Sequence, residues 1–136
     1  TMMKILAAAL LCVSLSSPAW AGRQMAMETP SSQTVPNKAL SSEQIRLAIV
    51  NASQVGKFKW QLLDSQPNQI EATLTAKKFQ MVILIDYTQQ NINYRYKSSV
   101  NLDYENENGK ELIHPHYNKL TFLLSREIER QLDLVQ

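Results

Sequence analysis

The stretch of sequence that decides the fold is residues 79–97, FQMVILIDYTQQNINYRYK. Apolar and polar residues alternate along two runs, and a polar turn at 88–91 separates them. Alternation with a period of two predicts β-strands with one covered and one solvated face. Because the connection is short, we expect the two strands to pair antiparallel. The apolar phase consists of Phe79, Met81, Ile83, Ile85 and Tyr87 in the first run and of Ile92, Tyr94 and Tyr96 in the second.

Two earlier runs alternate in the same way. They are KFKWQLLD at 57–64 and QIEATLTA at 69–76, and turn-forming residues lie between the runs at 65–68 and 77–78. Consecutive strands joined by short turns predict an antiparallel meander of four strands.

The pattern continues beyond the fourth run. Val100, Leu102 and Tyr104 alternate, which predicts that the strand extends past a bulge at 98–99. The polar stretch that follows, 106–110, is interpreted as a loop.

A helix is predicted on each side of the meander. Before it, Ser41 and Gln44 form the pattern of a capping box, and Leu40 and Ile45 are spaced for a hydrophobic staple, so the first helix should cover 42–54. Gly56 stands where a helix C-terminus favours a residue that tolerates positive φ.

The second helix is predicted over 116–134, where apolar residues recur at helical spacing. The element order is then α-β-β-β-β-α. The expected fold is an α+β two-layer sandwich, with both helices on the apolar face of the sheet. Residues 41–136 should form this single domain.

The first 21 residues have the layout of a secretory signal peptide. Lys4 precedes an apolar run at 5–15, and the small-x-small triplet at 19–21 predicts cleavage after Ala21. The run is too short for a membrane span, which needs about 20 apolar residues. Leu11 precedes Cys12 where a lipoprotein signal needs a small residue, so we expect a periplasmic protein without a stable membrane anchor.

Residues 22–40 are rich in Ser, Thr and Pro and have no apolar period, so the sequence predicts a flexible linker there. The chain has one cysteine, which excludes an intramolecular disulfide. It has 14 basic and 12 acidic residues, without the clustered positive charge that nucleic-acid binding needs.

Few residues indicate catalysis. No serine lies in a G-x-S-x-G motif, and three scattered glycines cannot build a phosphate-binding loop. We predict no cofactor.

The two histidines of the chain, His114 and His116, flank Pro115. Proline suits the first turn of a helix, so we interpret the motif as a helix start with the two imidazoles pointing apart. The alternative is a metal or hydrolytic site built on His114 and His116, which would need further ligands.

The solvated face of the sheet is a second candidate site. Two apolar residues of the third strand lie there among charged and polar side chains, a pattern that marks some binding surfaces. The alternative is a strand covered by the long side chains of its neighbours. The residues of this predicted open face are Lys59, Glu71, Thr73, Val82, Leu84, Arg95 and Lys97.

The segment from Gln69 to Leu132 resembles a family of small exported proteobacterial proteins, many of them lipoproteins, that have no assigned activity. The resemblance rests on four stretches: IDY at 85–87, INYRYK at 92–97, SVNL at 99–102 and IHPHYNK at 113–119. It implies an exported α+β domain and no known reaction.

Together these patterns favour a non-enzymatic binding module that contacts a protein or an envelope component through the open sheet face or an edge strand. The alternative function is metal binding or hydrolysis at His114 and His116.

Overall fold

The computed structural model describes residues 24–36 and 39–135. The predicted signal peptide and Cys12 lie outside these residues. The described residues form an α+β fold with two antiparallel sheets and two helices. The elements are β1 (Met25–Ala26), β2 (Gln33–Thr34), α1 (Ser42–Ser53), β3 (Trp60–Gln66), β4 (Gln69–Thr75), β5 (Gln80–Tyr87), β6 (Asn91–Val100), β7 (Glu105–Glu107), β8 (Lys110–Ile113) and α2 (Pro115–Leu134).

The larger sheet has the order β2-β6-β5-β4-β3, and its four long strands are the four predicted from the alternating runs. Trp60 pairs with Leu74 and Leu74 with Met81, so the apolar phases of neighbouring strands coincide on one face. The register of β5 and β6 shifts once: Val82 pairs with Ser98 and Ile83 with Tyr96. The predicted bulge therefore exists, but its additional residue is Lys97 rather than residues 98–99.

The smaller sheet has the order β1-β8-β7 and corrects the prediction of a loop at 106–110. Strands β7 and β8 form a hairpin whose two-residue turn is Asn108-Gly109, with φ angles of 55° and 87°. Two consecutive positive φ angles fit a type I′ turn, which matches the twist of the strands and favours Asn-Gly.

Helix α1 begins at the capping box that its sequence predicts. At α1 the Ser41 hydroxyl accepts from the amide of Gln44, and the side chain of Gln44 accepts from the amide of Ser41. Leu40 and Ile45, the predicted staple, are both buried. Helix α1 packs against α2, β3 and β5. The buried residues of both helices belong to the same core as the apolar phase of the larger sheet.

The segment predicted as a flexible linker is, in its described part, paired with the domain. Strand β1 adds to β8 and β2 adds to β6. The amides of Met27 and Val35 donate to the carbonyls of Glu111 and Gln90 at 2.9 and 2.8 Å. The linker prediction was wrong for this described part because β8 and β6 supply its backbone hydrogen-bond partners. The composition of the segment itself does not reveal those partners.

Candidate functional site

A pocket of about 480 Å³ lies between the end of α1, the start of β3 and the first half of α2. Its deep wall is made of buried side chains, among them Ala52, Trp60 and Leu124. Half-buried Phe58 and Phe79 contribute aromatic rings. Pockets of this size, with mostly apolar walls, are typical of small-molecule sites.

The mouth of the pocket is also apolar. Val55 on the α1 side is 44% exposed and Leu123 on α2 is 50% exposed. Exposed apolar residues that border a cavity indicate a binding site more strongly than isolated ones do. A ligand that covered both would add to the apolar area removed from water.

The turn between α1 and β3 shapes one side of the pocket. Gly56 has φ of +93°, which a residue with a side chain rarely adopts, and it reverses the chain directly after the helix. The ammonium group of Lys59 donates to the carbonyls of Gln54 and Gly56 at 2.7 and 3.1 Å. These bonds satisfy carbonyls at the helix end and hold the turn in place.

His114 is the N-cap of α2, and its ring is 2% exposed. Its Nδ1 accepts from the backbone amide of His116 at 3.1 Å. This bond folds the imidazole back over the first turn, so the ring centroids of His114 and His116 lie 4.3 Å apart. The prediction that the two rings point apart is therefore wrong, because it omitted the use of the His114 ring as a cap.

His116 lies one residue inside the helix, as the position of Pro115 predicts. Its exposed ring stacks on Phe79, with 5.2 Å between centroids and 24° between planes. The stack places an imidazole at the border of the pocket. Within residues 24–36 and 39–135, no cluster of three His, Cys, Asp or Glu side chains could hold a metal ion.

Two lysines and one glutamate border the pocket, and their electrostatic surroundings differ. Glu127 accepts from Arg130 at 2.6 Å and from Gln131 at 2.9 Å. The hydrogen bond from Arg130, followed by that from Gln131, holds the pKa of Glu127 below its usual value. Lys57 and Lys119 are exposed, and neither has a carboxylate partner among the described residues.

The predicted open sheet face is organised by ion pairs between strands. Lys97 pairs with Glu71, and Arg95 pairs with Asp86, which also accepts from Gln69 at 2.8 Å. Burial alone would raise the pKa of Asp86, but the hydrogen bonds from Arg95 and Gln69 outweigh it and hold that pKa below its usual value.

The apolar pair on this face is largely covered. Val82 is 9% exposed, and Leu84 is half-buried. The register brings Thr73 opposite Val82 and Glu71 opposite Leu84. Lys59, the remaining predicted member, lies outside strand β3 and contacts the end of α1 instead.

The edge strand β3 carries features that discourage the addition of another strand. Asp64 occupies a position in the same phase as Trp60 and Leu62, yet it is charged and binds Arg46 of α1 through two hydrogen bonds of 3.1 and 2.9 Å. The pairing of β3 with β4 is also irregular between Asp64 and Gln66. A charged residue in an otherwise apolar phase and irregular pairing are two ways in which proteins protect sheet edges.

Sequence reasoning did not find the pocket. Phe58 and Phe79 fall in the apolar phase of the strands and are indistinguishable by pattern from core residues. Three small or charged residues in the sequence border the pocket: Ala52 at the end of α1, Gly56 after it, and Lys119 beside the apolar stripe of α2.

Comparison of the chain with protein-family models, with curated proteins and with solved structures finds no significant match. Across 24–36 and 39–135, neither helix combines the length and the apolar composition that crossing a membrane requires.

Proposed function

We propose that this chain is an exported, non-enzymatic binding module whose ligand site is the pocket between α1, β3 and α2. The observation that carries the proposal is the pocket itself, with about 480 Å³ of space, aromatic walls and apolar residues exposed at its mouth. A concave space of this size with mostly apolar walls is the usual form of a small-molecule site.

The contacts on the sheet favour the pocket over the surfaces that the sequence suggested. On the open face, the charges of Glu71, Arg95 and Lys97 are already paired, and Val82 is buried. A partner there would have to displace these ion pairs or leave them at a desolvated interface, which costs free energy. The edge of β3 carries the charged Asp64, which binds Arg46 and discourages the addition of another strand.

The proposal includes the predicted location and arrangement. Export to the periplasm rests on the signal-peptide pattern of residues 1–21 and on the family resemblance. The two-layer arrangement, with both helices on the apolar face, is supported by the shared core of α1, α2 and the larger sheet. The pocket would then lie at one end of the helix layer, where α1 stops and α2 continues.

The histidine alternative has one observation in its favour, the 4.3 Å separation of the two rings. Against it, Nδ1 of His114 is already used as the acceptor for the His116 amide. A metal bound through that nitrogen would remove the cap of α2.

The proposal can be tested with an uncharged fluorescent probe, N-phenyl-1-naphthylamine, which brightens in apolar surroundings. Titration of the folded protein should saturate at one equivalent. Leu123→Trp, which adds an indole at the mouth of the pocket, should weaken binding by about fivefold or more, because overpacking a site costs about 1–3 kcal/mol.

Leu63→Trp is the matched control. Leu63 is 60% exposed, on β3 and away from the pocket, so the same change there should leave probe affinity intact. Circular dichroism should show both variants folded. Absence of saturable binding, or equal binding by wild type and Leu123→Trp, would contradict the proposal.

A further inference from the structure

The charges at the mouth of the pocket are unbalanced. The carboxylate of Glu127 is held by Arg130 and Gln131, so it does not neutralise the lysines near it. Lys119 follows His116 by three residues on α2, and Lys57 belongs to the turn after α1. Both lysines therefore line the pocket, from two different parts of the chain.

Neither ammonium group has an ion-pair partner among residues 24–36 and 39–135. The ammonium group of Lys57 lies over the ring of Phe58, whose centroid is 5.7 Å from Nζ. An exposed lysine is common and by itself indicates nothing. Two of them beside an apolar cavity of about 480 Å³, whose one carboxylate is already paired, form a site that attracts an anion with an apolar body.

We infer that the pocket takes a single-chain amphiphilic carboxylate, with its aliphatic chain among the rings of Phe58, Trp60 and Phe79 and its anionic group at Lys57 and Lys119. This inference rests on the proposed function, because it assigns a ligand class to the same pocket.

The dimensions of the site favour one free molecule over a membrane surface or a second protein. A cavity of this volume lies within the range of about 300–1,000 Å³ that encloses a small ligand. A protein interface buries about 800 Å² on each partner, which needs a far wider surface. The chain of the ligand enters the cavity, and the charge remains at the rim, where water and the lysines stabilise it.

Chain length and head-group charge separate this inference from the broader proposal. Octanoate, decanoate and dodecanoate, each monomeric in solution, would be used to displace bound N-phenyl-1-naphthylamine. Affinity should rise about fourfold for each added methylene, the ratio that corresponds to about 0.8 kcal/mol per buried CH₂. Dodecanol and dodecyltrimethylammonium, with the same chain, should bind at least about fivefold more weakly than dodecanoate.

The lysines provide the second part of the experiment. Lys57→Gln and Lys119→Gln should each lower dodecanoate affinity by about three- to fivefold, as expected for exposed charge pairs, and should lower it more than they lower the affinity for the uncharged probe. Lys110→Gln, on the β7–β8 hairpin, removes the same charge elsewhere and should have no effect.

Three outcomes would overturn the inference. The first is equal affinity for dodecanoate and dodecanol, and the second is an equal effect of Lys110→Gln and Lys119→Gln. The third is binding to phosphatidylglycerol vesicles without binding to monomeric dodecanoate. If, in any of these cases, the probe still binds saturably to wild type and more weakly to Leu123→Trp, the proposed function is retained. If wild type does not bind the probe, both the proposed function and the ligand inference are contradicted.

Discussion

The imidazole of His116 stacks on the ring of Phe79, with 5.2 Å between their centroids. One residue is in the first turn of α2 and the other directly precedes β5, so the stack joins the last helix to the sheet at the pocket border. The relationship gives His116 a packing role and leaves the capping of α2 to His114. The two histidines of one tripeptide therefore do different things.

His114→Ala should lower the free energy of unfolding by about 1–2 kcal/mol, because it removes the acceptor for the His116 amide and a buried ring. His114→Asn should lose less, since an amide oxygen can also cap the helix. His116→Ala is the matched control, and its loss should be smaller because the ring is exposed. Chemical denaturation measures all three. Equal losses for the two alanine variants would contradict the capping role.

The docked N-terminal segment predicts a specific pattern of amide hydrogen exchange. The amides of Met27 and Val35 donate to the carbonyls of Glu111 and Gln90, so both should be protected against exchange by native-state opening. Ser31 and Ser32 lie in the exposed turn between β1 and β2 and serve as internal references. Exchange of Met27 and Val35 as fast as these serines would restore the interpretation as a linker.

Stability should fall at high pH partly through Tyr117. Burial, only partly offset by the hydrogen bond with Thr29, raises the pKa of Tyr117 to about 12. The folded-state pKa lies above the unfolded value of about 10, so this stabilisation is complete below pH 10 and is lost as pH rises through 12.

Tyr117→Phe isolates that effect. Below about pH 10 the variant should be less stable by about 1 kcal/mol, because it lacks the hydrogen bond to Thr29. By about pH 12 the order should reverse, since wild type loses on the order of 2 kcal/mol through ionisation and the variant does not. Denaturation across this range measures the difference. A constant difference would show that Tyr117 does not titrate in this way.

The strands and both helices follow from sequence because their signals are local. Ser41 with Gln44, Pro115 and the alternation in β5 each act within a few residues, so propensity and burial agree. The β7–β8 hairpin could also have been predicted, since Asn108-Gly109 is a strong hairpin signal.

The remaining features depend on residues distant in the chain. Strands β1 and β2 pair with strands that lie 88 and 59 positions further along the chain, as the pairs Met25–Ile113 and Gln33–Ile92 show. The pocket exists because Ala52, Phe79 and Leu123 come from three separate elements. The apolar pattern of one helix or strand predicts which of its faces is buried. It does not predict a pocket that forms between the buried faces of several elements.

A metal titration tests the histidine alternative. Calorimetry with Zn²⁺ should show no submicromolar stoichiometric binding, because Nδ1 of His114 caps α2 and a tetrahedral site needs further ligands. The matched variant is the double substitution His114→Gln and His116→Gln. Tight binding of one equivalent by wild type that disappears in this variant would favour the metal site.

The central claim, that the pocket rather than the sheet face binds the ligand, is tested most directly by amide chemical-shift mapping. Increasing amounts of dodecanoate would be added to ¹⁵N-labelled protein. We expect saturating shifts near one equivalent, clustered at Val55, Gly56, Phe58, Phe79 and Leu123, with Thr73, Leu84 and Arg95 unchanged. Shifts clustered at the three sheet-face residues, or no saturable shifts in the pocket, would contradict the account.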